Sequence, residues 1–149
     1  MAKYDRIRCG VIGYGGAFNM GKTHLTSMAL NPRMDVAAVC EIDKARRAVA
    51  NEDFPGIQTY ANVATMLKSA DLDLVTIITP HNTHAKLAIQ CLNAGVNVVS
   101  EKPLAITSKE VKGMMRAANL NGVMLSTFHN RRWDGDFQTL RNLIHKEKI

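Results

Sequence analysis

The sequence predicts an α/β protein in which one parallel sheet carries helices on both faces, the doubly wound arrangement. Short apolar segments alternate with longer amphipathic segments along the 149 residues, and the first apolar segment ends in a run of glycines. Parallel strands need crossover connections, and a right-handed path for each crossover favours the doubly wound strand order. We therefore expect six strands with a glycine-rich turn after the first.

The predicted strands are short apolar runs bounded by turn residues. The first, Ile7–Ile12, is a run of apolar residues interrupted only by Arg8, which is typical of a strand buried on both faces of the sheet. Pro80 breaks the fourth run. The six predicted strands cover residues Ile7–Ile12, 35–41, Gln58–Tyr60, 72–79, 96–100 and 123–128.

The predicted helices follow from capping residues and helix breakers. Asn62 is placed to cap the third helix, and either Asn82 or Thr83 is placed to cap the fourth. Thr107 and Glu110 have the spacing of a capping box for the fifth. The six predicted helices cover residues 21–30, 44–50, Val63–Ser69, 83–93, 107–121 and 137–148.

Composition indicates one ordinary globular domain, with 46% hydrophobic and 21% charged residues. The apolar runs are too short to span a bilayer and the N-terminus lacks a long apolar signal region, so we predict a cytoplasmic protein without a membrane partner. The net charge of +6 comes from scattered residues, which favours a solvated surface over a nucleic-acid interface.

The cysteines and histidines give no pattern typical of a metal site. The three cysteines have unrelated spacings inside apolar runs, which favours buried free thiols over disulfides or zinc ligands. His81 and His84 are three residues apart, but no third ligand follows at a matching spacing. We predict no metal.

The glycine turn after the first strand predicts a binding site for a dinucleotide. Gly13 allows a tight turn, Gly15 lets the backbone approach a pyrophosphate, and amides at the next helix N-terminus stabilise the phosphates. The turn is longer than the usual G-x-G-x-x-G pattern, because position 18 is Phe and the next glycine is Gly21. The residues predicted to contact the cofactor here are Gly13, Gly15, Gly16, Ala17, Phe18 and Asn19.

Glu41, at the end of the second predicted strand, is the candidate acceptor for the adenosine ribose hydroxyls, with Asp43 as the competing candidate. A carboxylate here repels a 2′-phosphate, so the prediction is NAD rather than NADP. The nearby Lys44, Arg46 and Arg47 leave NADP open, because a basic cluster could accommodate that phosphate.

Three stretches at predicted strand ends carry a family resemblance. The segment ITPHNTHAKLAIQCLNAGVNVVSEKPLA resembles the signature of the glucose-fructose oxidoreductase / inositol dehydrogenase (Gfo/Idh/MocA) family. VIGYGGAFNMGKTHL and FHNRRWDGDF are similar to its opening loop and its sixth-strand exit. The resemblance covers the N-terminal domain only, and the α+β second domain of such proteins is expected to be absent. It divides the chain into a dinucleotide-binding domain, residues 1–125, and an exit strand and final helix, residues 126–149.

The resemblance implies hydride transfer between a nicotinamide cofactor and a sugar, polyol or related alcohol. It places Thr79 and Pro80 beside the nicotinamide half, and His84 at the start of the helix below it. Together with Glu101 and Lys102 of the Glu-Lys-Pro motif, these residues are implied to bind the cofactor. Lys102 is implied to reach the nicotinamide ribose and the substrate hydroxyl, which makes it the candidate catalytic residue. A lysine can donate to an oxygen whose charge changes during hydride transfer.

Members of this family usually take a catalytic His or Asp from the second domain. We therefore expect this chain to bind the dinucleotide but to have weak or no activity. The alternative is a non-catalytic, cofactor-sensing regulatory protein on the same fold. An apolar face predicts self-association into a homo-oligomer. Its residues are Trp133, Phe137, Leu140, Leu143 and Ile144.

Overall fold

The computed structural model describes residues 5–147 and confirms the doubly wound α/β fold. A sheet of six strands has the order β3-β2-β1-β4-β5-β6, and every neighbouring pair is parallel. The strands are β1 Ile7–Ile12, β2 Met34–Cys40, β3 Gln58–Tyr60, β4 Leu74–Ile77, β5 Asn97–Ser100 and β6 Leu125–Thr127.

The strand order reverses between β1 and β4, which are neighbours in the sheet although β2 and β3 separate them in the chain. At such a switch point the connections after the two strands leave in opposite directions and open a crevice beyond their carboxyl ends. The segments after β1, β4, β5 and β6 therefore meet at one edge of the sheet.

Two cores flank the sheet because successive strand residues point to opposite faces. Cys9 and Val11 of β1 belong to the core beneath α1 and α2, whereas Ile12 belongs to the core beneath α3, α4 and α5. The helices are α1 Met20–Ala29, α2 Lys44–Asp53, α3 Val63–Ser69, α4 His84–Asn93, α5 Ser108–Asn121 and α6 Gly135–His145, with short 3-10 turns at His81–Thr83 and Asn130–Trp133.

The predicted cap of the fourth helix is wrong. A 3-10 turn, His81–Thr83, leads into α4, and neither Asn82 nor Thr83 caps the helix with its side chain. Thr83 occupies the N-cap position, but its hydroxyl bonds to the Thr79 hydroxyl at 2.6 Å and to the Pro80 carbonyl at 2.7 Å. The Thr83 hydroxyl, which the sequence predicted to cap α4, is therefore hydrogen bonded to the segment that follows β4 instead.

The capping box of α5 is confirmed. The Thr107 hydroxyl accepts a hydrogen bond from the Glu110 amide at 3.2 Å, and the Glu110 carboxylate accepts one from the Thr107 amide at 2.8 Å. Two backbone donors that the helix cannot satisfy are thus paired. Asn62 likewise caps α3, as predicted, by accepting from the Thr65 amide at 2.9 Å.

Thr107→Ala is expected to lower the free energy of unfolding by about 1 kcal/mol, because one amide of the first helical turn loses its acceptor. Denaturant unfolding followed by circular dichroism measures the change. Ser108→Ala at the next position is the matched control and is expected to stay within about 0.5 kcal/mol of the wild type. Equal losses in the two variants would contradict the cap.

The last two elements differ from the predicted boundaries. β6 pairs with β5 from Leu125 to Thr127, so the predicted division between residues 125 and 126 falls inside a strand of the sheet. We propose that the division lies after Thr127. Helix α6 begins two residues earlier than predicted, and Lys148, its predicted end, lies outside the described residues. None of its side chains is buried, and Trp133 before it is 78% exposed.

The three cysteines are free and buried, as predicted. Burial raises the pKa of Cys9 and of Cys40 to about 11 and that of Cys91 to about 12. All three thiols are therefore protonated near neutral pH and contribute to packing rather than to chemistry. Between residues 5 and 147, no helix has the length and apolar character needed to cross a membrane.

Candidate functional site

One cavity of about 1050 Å³ opens at the carboxyl edge of the sheet, over the switch point. Its lining comes from the segments that follow β1, β4, β5 and β6, so the fold brings the separate sequence motifs together. Of the predicted site residues, the cavity is lined by Gly15, Ala17, Phe18, Thr79, Pro80, Glu101 and Lys102. Gly13, Gly16, Asn19, Glu41 and His84 are not among its lining residues.

The glycine turn, residues 13–19, depends on two glycines for different reasons. Gly13 has a φ of +100°, and a Cβ there would lie 2.9 Å from the Ile78 carbonyl oxygen. Gly15 has no atom within 4 Å of an ideal Cβ, so its backbone faces open space beside the cavity. A cradle without side chains at this point fits a pyrophosphate that approaches the backbone.

Gly21 has the packing role of the third glycine in the usual G-x-G-x-x-G pattern. An ideal Cβ at Gly21 would lie 2.7 Å from Tyr14 Cδ2 and 2.8 Å from the Gly13 carbonyl oxygen. The first turn of α1 therefore packs directly on the backbone that leaves β1. The turn is three residues longer than the usual pattern, since the third glycine is at position 21 rather than 18, and residues 15–19 are all exposed.

Tyr14 anchors the glycine turn from below, a role that the sequence analysis missed. Its side chain is 1% exposed, and its hydroxyl donates to Asp53 Oδ2 at 2.7 Å. Lys22 Nζ donates to Asp53 Oδ1 at 2.5 Å. Burial and the Asp53 hydrogen bond raise the pKa of Tyr14, while the bonds from Lys22 and Tyr14 lower the pKa of Asp53. An aromatic residue between two turn glycines is the signal that could have indicated this anchor.

Glu41 lies directly after β2, as predicted, and its carboxylate is turned under the glycine turn. Oε2 accepts from the Tyr14 amide at 2.6 Å and Oε1 accepts from the Asp43 amide at 3.0 Å. Asp43, the competing ribose candidate, instead caps α2 by accepting from the amides of Ala45 and Arg46. Of the two acids, Glu41 is the one joined to the turn.

The basic residues beside Glu41 are bonded to the backbone. Arg46 Nε donates to the Tyr14 carbonyl at 2.8 Å, and its guanidinium packs against Gly16. Arg47 Nη1 donates to the carbonyls of Glu41 at 2.6 Å and Ile42 at 2.9 Å. The sequence indicated a basic cluster that could receive a phosphate, whereas the structure shows two arginines that hold the loop around Glu41.

Glu101 is held by a partner that the sequence analysis did not identify. Its Oε1 lies 2.9 Å from His24 Nε2, and the two side chains are 13% and 7% exposed. The Phe128 ring meets the His24 ring edge-on with 4.5 Å between ring centroids. His24 lies one turn after Gly21, so this contact joins helix α1, which follows the glycine turn, to the end of β5.

The Lys102 turn, residues 101–103, presents an exposed lysine at the cavity. The Lys102 amide donates to Glu101 Oε2 at 3.1 Å, and the Lys102–Pro103 peptide bond is cis. The hydrogen bond ties the backbone of Lys102 to Glu101, while the lysine itself is exposed and lines the cavity. A lysine side chain on a fixed backbone can donate a hydrogen bond to an oxygen of a molecule in the cavity whose negative charge increases during a reaction.

His84 starts α4 as predicted, but its direct contact with a cofactor does not fit the structure. The imidazole is 0% exposed, and its nitrogens lie 2.8 Å from the Thr79 carbonyl oxygen and 2.9 Å from the Pro103 carbonyl oxygen. Both nitrogens are therefore engaged away from the cavity. His84 can affect bound molecules only through the two segments that it contacts.

The far wall of the cavity comes from the exit of β6 and from α6. The residues here include His129, Asn130, Arg131, Arg132 and Phe137. Arg131 pairs with Asp134 at 2.8 Å, which raises the pKa of the guanidinium. Across residues 5–147, no group of three or more His, Cys, Asp or Glu side chains is arranged to hold a metal ion.

Comparison with known proteins matches residues 7–129 to the GFO_IDH_MocA family, described as an oxidoreductase family with an NAD-binding Rossmann fold. The scyllo-inositol 2-dehydrogenase (NADP(+)) of Bacillus subtilis (strain 168) is 34% identical over 99% of this chain and 40% of its own length. The inositol 2-dehydrogenase of Salmonella typhimurium is 29% identical over 96% of this chain and 43% of its own.

Among solved structures, the WlbA dehydrogenase of Bordetella pertussis, in complex with NADH and UDP-GlcNAcA, superposes with a TM-score of 0.88 at 27% identity. The match covers 95% of this chain and 42% of that protein. The chain thus spans about 40% of the length of the relatives it matches.

Proposed function

The chain belongs to the GFO_IDH_MocA oxidoreductase family, whose matched segment is an NAD-binding Rossmann fold, and on that basis we propose that it takes part in hydride transfer between NAD and a hydroxyl-bearing carbon of a sugar or polyol. The single observation that carries the proposal is the shared cavity. It is lined both by Gly15, whose backbone faces open space, and by Lys102 on the other side of the switch point.

The residues present fit a dinucleotide. The Gly15 backbone leaves space that a side chain would fill, and residues 15–19 are exposed ahead of the α1 N-terminus, where amides favour phosphate. Each Glu41 oxygen accepts one backbone hydrogen bond and has a second lone pair for a ribose hydroxyl. Thr79 and Pro80 line the cavity between the glycine turn and Lys102, where the nicotinamide half would lie.

When bound, NAD supplies the hydride acceptor, and the protein's own part is orientation and proton handling. Lys102 Nζ can donate a hydrogen bond to the substrate oxygen and stabilise the negative charge that develops there as the hydroxyl proton passes to solvent water. Glu101 fixes the Lys102 backbone, and His24 fixes Glu101. Because the relatives are more than twice as long as this chain, we expect it to bind the cofactor with weak or no turnover of inositol.

Titration of the 149-residue chain with NADH is expected to give one site per chain, with NADPH bound about tenfold more weakly or worse. The reason is that a 2′-phosphate would meet the Glu41 carboxylate, and like charges in close contact are strongly unfavourable. Isothermal calorimetry with each nucleotide measures both constants.

Glu41→Gln is the control for this preference. It removes the negative charge but keeps an oxygen that can accept from the Tyr14 amide, so the NADH/NADPH ratio is expected to fall toward one. Equal binding of both nucleotides by the wild type would contradict the role of Glu41. Absence of binding by either would overturn the proposed function of this chain.

A further inference from the structure

The side chain of Arg46, in the first turn of α2, reaches the glycine turn and contacts it at three places. Its Nε donates to the Tyr14 carbonyl at 2.8 Å, near the start of the turn. Its Nη2 donates to Asn19 Oδ1 at 3.4 Å, at the end of the turn. Between these bonds, Nη1 lies 3.2 Å from the position that a Cβ of Gly16 would occupy. One planar group therefore holds both ends of the extended turn.

Asn19 connects Arg46 to the N-terminus of α1. It occupies the N-cap position with a left-handed φ of 48°, which asparagine tolerates better than most residues, yet its side chain makes no capping hydrogen bond. The carboxamide oxygen, which in a cap would accept from a helix amide, accepts from Arg46 instead. The first amides of α1, which have no partners within the helix, are thus left for a phosphate.

Arg46 also places a positive charge beside the turn. A guanidinium keeps its proton throughout the pH range in which proteins fold, and no carboxylate between residues 5 and 147 forms an ion pair with this one. Asp53 is already bonded to the Tyr14 hydroxyl and to Lys22. The charge of Arg46 can therefore attract an anion that binds at the turn.

We propose that Arg46 is a positioning residue for the pyrophosphate of the dinucleotide, because it holds both ends of the extended turn and keeps the Asn19 side chain away from the first amides of α1. This role rests on the proposed function, since it assumes that the turn binds a dinucleotide. It also accounts for Gly16, because a side chain there would meet the guanidinium. The turn can then be three residues longer than usual and still present a fixed backbone.

Titrations with ADP and with adenosine test the proposal, because the two molecules share the adenine and the ribose and only ADP carries the pyrophosphate. Arg46→Ala is expected to weaken ADP binding about tenfold, the effect of losing a hydrogen-bonded charged group, and to leave adenosine binding within about twofold of the wild type. NMR titration followed by backbone amide shifts measures both constants, including the weak binding expected of adenosine.

Arg116→Ala is the matched control. Arg116 is an exposed arginine of α5, which packs on the opposite face of the sheet from α2. It does not line the cavity, and its replacement is expected to change neither constant.

Arg46→Lys distinguishes the positive charge from the two-ended hold. Lysine keeps the charge but carries its donors on one nitrogen, so it cannot reproduce the separate bonds of Nε and Nη2. ADP affinity is expected to stay at least about threefold below that of the wild type. Full recovery of ADP affinity with lysine would mean that charge alone is sufficient, which overturns the positioning role.

The remaining outcomes separate this role from the function on which it rests. Equal losses for ADP and adenosine in Arg46→Ala would show that the arginine supports the adenosine half or the whole fold, and unchanged ADP affinity would show that it supports neither. Either result overturns the positioning role. Failure of the wild type to bind NADH removes the proposed function and this role with it. Wild-type NADH binding that Arg46→Ala does not weaken removes this role alone.

Discussion

Gly21→Ala is expected to destabilise the chain by about 3 kcal/mol, near the upper end of what an added methyl group does in a packed interior. The new Cβ would lie 2.8 Å from the Gly13 carbonyl oxygen and 2.7 Å from the Tyr14 ring. The Gly13 backbone cannot retreat, because its amide donates to the Cys40 carbonyl at 2.8 Å. Tyr14 is buried and bonded to Asp53, so relief requires that α1 move away from β1. Denaturant unfolding measures the loss.

Gly15→Ala is the matched control, because it adds the same methyl group only six residues away. Nothing lies within 4 Å of its Cβ, so the free energy of unfolding is expected to change by less than about 1 kcal/mol. NADH affinity is expected to fall, since the methyl group would stand where the pyrophosphate meets the backbone. Similar unfolding losses in the two variants would show that Gly21 has no special packing role.

The fold could be predicted from the sequence because its determinants are local. Most strands of the sheet are short segments rich in apolar residues, and the helices between them are amphipathic segments whose ends carry recognisable signals, such as the Thr107–Glu110 capping box. Once the alternation is recognised, the right-handed rule for crossovers leaves few strand orders. The observed order, with its switch between β1 and β4, is one of them.

The candidate site was predictable in its location but not in its contacts. The end of β4 and the Lys102 turn were expected to meet at one edge because both follow parallel strands, and both line the cavity. The way in which individual side chains rotate was not predictable. His84 was expected to face the cofactor, yet its backbone at the start of α4 directs the ring into the space between Thr79 and Pro103.

The contacts that the sequence did not predict are between residues far apart in the chain. Tyr14 and Asp53 are 39 residues apart, and His24 and Glu101 are 77 apart. No spacing rule connects such positions. The glycine turn shows an intermediate case, because the sequence revealed its unusual length, but only the packing of Gly21 on the Gly13 backbone shows where the extra residues extend.

His24→Leu is expected to lower the free energy of unfolding by about 3 kcal/mol, because the largely buried Glu101 carboxylate loses its hydrogen-bond partner and leucine cannot replace it. The carboxylate of Glu101 would remain in a place where its side chain is 13% exposed. Leucine keeps an apolar group against Phe128, so the change isolates the lost pairing from lost packing. Denaturant unfolding of the single variant gives the magnitude.

The double variant His24→Leu/Glu101→Leu distinguishes an effect of this contact on fold stability from an effect on NADH binding. Replacing both members of a buried pair by apolar residues is often neutral for stability, so most of the loss is expected to be recovered. NADH binding is expected to remain impaired, because the Lys102 amide has lost its acceptor on Glu101 and the turn that presents Lys102 is free on that side. Recovered stability together with wild-type NADH affinity would mean that the His24–Glu101 contact only stabilises the fold. Recovered stability without recovered affinity would make the pair a positioning device for Lys102, since its removal then affects ligand binding in a chain that folds normally.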